Sequence, residues 1–329
     1  MFQTFQSNVF ACCVAILAWC VPAAVAQENG TFTDPNSAGP DFAFQGEYLG
    51  TVQADGGRNW GAHVIALGKD EFRIVGYPGG LPGDGYRPGD VQKTATGKRA
   101  SGTIKFEGDD FLAEVVVGQL KVSNKSGELL GTLMKVQRES TTLGQKPPEG
   151  ATVLFDGRSA DNFTNGKITT DKLLGADCSS KASFLDHFLH VEFRSPFKPE
   201  ARGQARGNSG VYVQSRFEVQ VLDSFGLSGE NNECGGIYSI AKPLVNMCYP
   251  PLSWQTYDIE FKAARYDNDG KKTSNARVTI RHNGVLIHDN IELRAGTPGK
   301  LPEGPSAEPL YLQGHGNPVV YRNIWAIAR

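Results

Sequence analysis

Apolar and polar positions alternate along most of this chain with a period of two. Between residues 207 and 226, GNSGVYVQSRFEVQVLDSFG, the odd positions Val211, Val213, Phe217, Val219 and Val221 are apolar, with Ser215 as an interruption. The even positions Tyr212, Gln214, Arg216, Glu218 and Gln220 are polar or amphipathic. A strand sends successive side chains to opposite faces, so the spacing predicts one long strand over 211–222 with a core face and a polar face. Shorter runs of the same kind recur from Phe42 to Glu139, among them GEYLGTVQ, GAHVIALG, EFRIVGYP and FLAEVVVG. Turn residues separate them, which predicts a small antiparallel β domain. A second set follows Val153: HFLHVEFRSPF, WQTYDIEF, NARVTIRHNGVLIHDN, PLYLQGHGN and VVYRNIWAIAR. RHNG at 281–284 is an Asn-Gly turn between two alternating runs, a strong hairpin signal. In WQTYDIEF, Tyr257, Ile259 and Phe261 share one face and Thr256, Asp258 and Glu260 the other, and either face suits a core layer or a groove wall. No sustained helical periodicity appears. The predicted class is all-β, a C-terminal jelly-roll sandwich preceded by a smaller antiparallel β domain.

Composition sets the boundaries. The chain has 329 residues and a formal net charge of −2, which argues against a nucleic-acid or anionic-membrane partner. Residues 9–21, VFACCVAILAWCV, are an unbroken apolar run, shorter than the roughly 20 residues a membrane-spanning helix needs. Ala24-Val25-Ala26 then gives a small-x-small cleavage pattern. Residues 1–26 are read as an export signal cut before Gln27, which leaves no transmembrane segment and places the protein in the periplasm or outside the cell. MFQTFQSN lacks the usual Lys or Arg, and an uncleaved anchor is the alternative. Residues 27–41 read as an extended lead-in, 42–142 as the small β domain, 143–152 (LGQKPPEGAT) as a linker and 153–329 as the jelly roll. GYPGGLPGDGYRPGD at 76–90 is a long Gly/Pro loop: a mobile connection, or a lid or contact to the second domain. Cleavage leaves Cys178, Cys234 and Cys248. Two readings stay open for them: a Cys234–Cys248 bridge, or three buried thiols.

The candidate chemistry lies in the second half. Amides, carboxylates, a guanidinium and an aromatic ring suit a sugar, whose hydroxyls want paired donors and acceptors. Tyr212, Gln214, Arg216 and Gln220 are therefore candidate substrate-binding residues, with a plain solvated face as the alternative. Glu218 is a candidate proton carrier on that face. Asp223 joins it only if the strand bends, because its parity is opposite. His288 is a candidate shuttle or a hydrogen-bonded strand residue. His315, between two glycines in QGHGN, is a candidate held in a tight loop. No GxSxG elbow, P-loop, GxGxxG fingerprint, HExxH or EF-hand loop is present. No metal-ligand motif occurs, and a divalent metal stays open.

Five ordered motifs carry a resemblance: RGNSGVYVQSRFEVQVLDS, ECGGIY, WQTYDIEF, HNGVLIHDN and QGHGNPVVYRNIW. They resemble the 3-keto-disaccharide hydrolase, or 3-keto-glucoside lyase/hydratase, domain family over residues 152–329. The longer forms PEARGQARGNSGVY and NMCYPPLSWQTYDI resemble secreted planctomycete-type members. The resemblance implies a concanavalin-A-like jelly roll acting on an oligosaccharide or glycoside oxidised at C3. There a base removes the C2 proton, an enolate forms and the C1 aglycone leaves. It implies Glu218, Asp223, His288 and His315 as possible proton carriers, and Tyr212, Arg216 and Gln220 as donors to the enolate and hydroxyls. Members usually read Gln-Asp-His-Gly in the last motif, whereas Gly314 precedes His315 here. A non-catalytic carbohydrate-binding protein is the competing expectation, because the same sheet face serves lectins.

Overall fold

The computed structural model describes residues 30–53 and 56–329. The export signal expected from the sequence lies outside these residues. The all-β class holds: the chain folds into a barrel followed by a two-sheet sandwich. Among the described residues, no helix is long and apolar enough to cross a membrane.

Eight antiparallel strands close the barrel in the order Gly46–Val52, Leu129–Val136, Gln119–Ser123, Leu112–Val116, Thr103–Glu107, Lys93–Ala100, Glu71–Pro78 and Arg58–Gly68, returning to the first. Alternation explains the interior: Tyr48, Val64, Phe72, Ile104, Val115 and Leu120 point inward and are buried. Closure draws backbones tightly together. A Cβ on Gly50 would come within 2.5 Å of the Thr132 carbonyl, so a side chain there would part the first and last strands.

The outer face of two barrel strands is not solvated. Ile65, Val75 and Tyr77 belong to the same apolar cluster as the sandwich core. The His63 ring stacks on Phe225 with centroids 4.2 Å apart. Arg138 pairs with Glu47 of the barrel at 2.5 Å and donates to the Pro82 carbonyl at 2.8 Å. The Gly/Pro loop is part of this junction. Leu81 is fully buried, the Tyr86 ring packs edge-on against Tyr77, and a Cβ on Gly83 would strike Met247. The lead-in is also tied down: Phe32 and Phe197 exchange both backbone hydrogen bonds at 2.9 Å.

In the sandwich, one sheet runs Thr152–Phe155, Val320–Ala328, His187–Arg194, Gln255–Lys262, Ala276–His282, Val285–Leu293, with Leu174–Gly175 also paired to Val320–Ala328. The facing sheet runs Phe163–Thr164, Cys178–Phe184, Glu308–Leu312, Ser209–Val213, Phe217–Val221. Val211, Val219 and Leu312 from one sheet meet Leu189, Tyr257 and Ile280 from the other in one core. Each such fully buried side chain contributes roughly 1.5–3 kcal/mol of transfer free energy.

Two expectations change here. The strand expected over 211–222 is a hairpin. Gln214 and Ser215 adopt left-handed conformations, φ 52° and 53°, and turn the chain between Val213 and Phe217. The three-residue connection preserves odd-even parity, which is why the alternation ran on unbroken through a reversal. The Cys234–Cys248 bridge is not formed: all three cysteines are free and buried. The Asn283-Gly284 turn is as expected, with φ 53° and 82° between paired strands. In WQTYDIEF it is Tyr257, Ile259 and Phe261 that enter the core.

Candidate functional site

The hairpin sets Tyr212 directly opposite Glu218, and Gly210 opposite Gln220. Their neighbours Val211, Val213, Phe217 and Val219 face the core, so Tyr212, Glu218 and Gln220 share the outer face of the sheet. ECGGIY extends that sheet by one more segment: Gly235 N–H donates to the Gln220 carbonyl at 3.0 Å, and Tyr238 N–H to that of Glu218 at 3.2 Å. Tyr311 and Gln313 join the face by alternating with the core residues Leu310 and Leu312.

Glu218 sits at the centre and is 3% exposed. Tyr212 Oη donates to its Oε2 at 2.8 Å. Its Oε1 has no hydrogen-bond partner among the described residues. It lies over Gly210, where a Cβ would approach it to 2.5 Å. Burial pushes the carboxyl up to about 7, and the Tyr212 hydrogen bond only partly opposes this. Burial and the adjacent Glu218 push the Tyr212 phenol well above its ordinary value. Gln313 Nε2 donates to Tyr212 Oη at 3.1 Å, while Gln313 Oε1 is buried with no donor among the described residues. A buried acceptor left open costs about 1–3 kcal/mol unless something fills it. Gln220 Nε2 is satisfied by Asn208 Oδ1 at 2.8 Å and by the Ser209 and Val221 carbonyls.

A glycine- and proline-rich strap, residues 296–306, crosses this face. The Pro298 carbonyl lies 3.1 Å from Tyr212 Oη, and a Cβ on Gly299 would touch the Tyr212 ring at 2.6 Å. Arg216 fastens the strap. Its guanidinium donates to the Pro302 carbonyl at 2.8 Å, the Ser306 carbonyl at 2.9 Å and Ser306 Oγ at 3.0 Å. At the far edge, Lys300 Nζ lies 4.2 Å from the Tyr311 ring centre and donates to Ser179 Oγ at 3.0 Å.

The sequence-predicted residues therefore separate. Tyr212, Glu218 and Gln220 come together. Arg216 and Gln214 do not lie in a row with them. They occupy the turn, Arg216 engaged with the strap and Gln214 Nε2 with the Phe184 carbonyl at 2.8 Å. The five-residue polar face expected from alternation is thus a smaller cluster. Asp223 lies past the strand end in a buried ion pair, Oδ2 to Arg206 Nε at 2.7 Å. Burial pushes its carboxyl up against the pull of Arg206. His288 is buried, Nε2 donating to the Gly235 carbonyl at 2.7 Å, and burial lowers its basicity. It ties ECGGIY to the opposite sheet. His315 is exposed in the loop after Gln313. A Cβ on Gly314 would lie 2.5 Å from Asp177 Cβ. Asp177 fills the space beside residue 314, and Tyr311 Oη donates to its carboxylate at 3.2 Å. Gln313, Tyr311 and the strap were not picked out from the sequence, although the period in EPLYLQ marks the first two. Among the described residues, no group of three or more His, Cys, Asp or Glu is arranged to hold a metal ion.

Two packed antiparallel sheets, with a buried carboxyl among amides and phenols on one outer face, form a concanavalin-A-like jelly roll, and its family and structural neighbours make it a carbohydrate-active enzyme. The chain belongs to the 3-keto-alpha-glucoside-1,2-lyase-like domain family, whose profile matches residues 150–327. A crystal structure from Parabacteroides distasonis, of a protein provisionally assigned as a glycosyl hydrolase, is 29% identical with a TM-score of 0.51, covering 55% of this chain and 85% of that one. A second such structure from the same organism is 19% identical with a TM-score of 0.40, covering 54% and 99%. No curated protein gives a significant match.

Proposed function

We propose that the sandwich cleaves 3-keto-glycosides, with Glu218 as the base. The observation that carries this reading is the state of Glu218: buried, held by one phenol, titrating near neutrality, with Oε1 unpartnered over a residue that has no side chain. A ketone at C3 acidifies the C2 proton. Glu218 takes that proton, the electron pair forms the C1=C2 double bond, and the C1–O bond breaks. The departing oxygen takes a proton from solvent or from a nearby acid. His315, exposed at the sheet end, is the candidate acid among the four proton carriers. Asp223 and His288 have their charge or proton engaged with Arg206 and Gly235, and we assign them to holding the fold. Water adding to the new double bond completes net hydrolysis. A base whose proton affinity lies near the working pH transfers protons efficiently, typically for a gain of about 10²–10⁴. Gln313 Oε1 is the acceptor offered to a sugar hydroxyl. Because Glu218 and Tyr212 are covered, entry of a sugar requires the 296–306 strap to lift.

Incubation with 3-keto-trehalose or 3-keto-sucrose, following release of the free sugar, tests the reading. Release that Glu218→Gln abolishes supports it. Saturable sugar binding without turnover would replace it with the lectin-like alternative. We further propose export, supported by the 9–21 apolar run and Ala24-Val25-Ala26. Sequencing the mature N-terminus checks for a start at Gln27.

A further inference from the structure

The barrel is filled at one end and hollow at the other. Tyr48, Val64 and Phe72 pack the half nearest the Pro40–Phe44 helix. Toward the opposite mouth the inward positions shrink to Ala62 and Gly76, and a cavity of about 410 Å³ opens. Its walls are apolar, with Val52, Ile74, Leu120 and Leu133 lining it beside Ala62. Each of these five is at most 4% exposed. That volume lies within the range of about 300–1,000 Å³ typical of small-molecule sites, and eight strands are the size of barrel that holds one small ligand.

The mouth carries the specificity. Trp60 lines the cavity, and its indole N–H is buried with no acceptor among the described residues. Indole is a donor only, so this group is complete only when an acceptor arrives. Arg58 lies over the Trp60 ring at 5.2 Å and lines the cavity beside it. Phe111 stands at the rim, closely packed on Gly108, where a Cβ would collide with the ring. Four charged side chains line the mouth, Arg58, Lys93, Asp90 and Asp110, two of each sign, and Lys93 pairs with Asp110 at 2.5 Å, so neither sign dominates to select an ion. Apolar walls, two flat rings and one unanswered donor fit an uncharged aromatic molecule bearing a single hydrogen-bond acceptor.

We infer that the barrel is a binding site for a small neutral aromatic compound with a carbonyl or ether acceptor, held by the cavity and oriented by Trp60. The inference is independent of the sugar chemistry proposed for the sandwich. The test uses the full chain and two probes of matched size, 2-acetylnaphthalene and 2-ethylnaphthalene, each titrated by displacement of the fluorescent reporter N-phenyl-1-naphthylamine. The expected result is saturable one-to-one binding, at least fivefold tighter for the ketone. Trp60→Phe erases that preference and Ala62→Phe removes binding of both. A readout on the unaltered protein accompanies it: the Trp60 indole N–H resonance moves downfield on adding the ketone, beyond the ring-current shift that the hydrocarbon produces. No saturable binding by folded protein, binding that survives a folded Ala62→Phe, or an indole resonance indifferent to the ketone would each overturn the inference.

Discussion

Glu218 and Glu192 are buried carboxyls on opposite sheets of one sandwich, and they are held in opposite ways. Glu192 is surrounded by donors. Arg322 Nε reaches it at 2.6 Å, Asn323 Nδ2 at 2.8 Å and the Gly144 backbone N–H at 2.6 Å, while His190 Nε2 lies at 3.6 Å. Burial alone would raise its proton affinity, but His190, Asn323, Arg322 and Gly144 overwhelm that and hold it at about 2. Glu218 has comparable burial and one phenol, so burial wins and it rises to about 7. The number of donors, not the depth of burial, separates a carboxylate that fixes a fold from one free to trade a proton.

The contrast breaks most visibly in turnover. Glu218→Gln is expected to lower sugar release from a 3-keto-glycoside by about 10²–10⁴ while the protein still unfolds cooperatively. Release within threefold of the parent would remove Glu218 from the chemistry. Next in size is the opposite pattern. Glu192→Gln strips the counter-charge from Arg322 and His190, and should cost about 3 kcal/mol in urea unfolding, with sugar release unchanged per folded molecule. A variant as stable as the parent would show that its four partners do not need the charge.

The third expectation concerns pH and has opposite signs at the two sites. The folded-state value of Glu218 is raised from 4.5 to about 7. Its contribution is thus fully present below pH 4.5 and is lost as pH rises through 7. Glu192 is lowered from 4.5 to about 2, so its contribution is present above pH 4.5 and disappears as pH falls toward 2. Glu218→Gln should therefore gain stability relative to the parent between pH 5 and 8, and Glu192→Gln should lose its handicap in acid. Chemical unfolding from about pH 2 to about pH 8 reads both slopes. In the rate profile, Tyr212→Phe removes the hydrogen bond that holds Glu218 down, so the ascending limb near pH 7 should move to higher pH. The smallest effect is expected at Arg216→Lys, which keeps the charge but loses the fork that grips Pro302 and Ser306. Limited proteolysis within 296–306 should quicken severalfold with little change in unfolding midpoint.

The sequence carried much of this and hid the rest for definable reasons. Alternation in FEVQV and VTIRH gave strands and their core faces, because a sheet with one apolar side writes its period directly. The Asn283-Gly284 turn was legible because its residues suit left-handed backbone. The turn at Gln214 and Ser215 was not, since neither residue announces such a conformation. Glu218 was found by parity, but its isolation was not, because Tyr212 comes opposite it only through the hairpin. Asp223 looked inviting because its partner, Arg206, lies 17 positions away with nothing local to mark it. Barrel closure depends on the pairing of Gly46–Val52 with Leu129–Val136, contacts between segments too distant for local pattern to reveal.

The segment joining barrel to sandwich has a consequence for where this protein can be divided. Thr142 Oγ1 donates to Asp258 at 2.7 Å, Gly144 N–H to Glu192, and Trp325 Nε1 to the Gln145 carbonyl at 3.3 Å. These few residues roof the His190–Asp258 ion pair on the sheet opposite Glu218. A polypeptide begun at residue 150, where family similarity starts, would uncover two acids, an imidazole and an indole that residues 142–145 shield. The unit that packs together is therefore longer than the unit that similarity recognises.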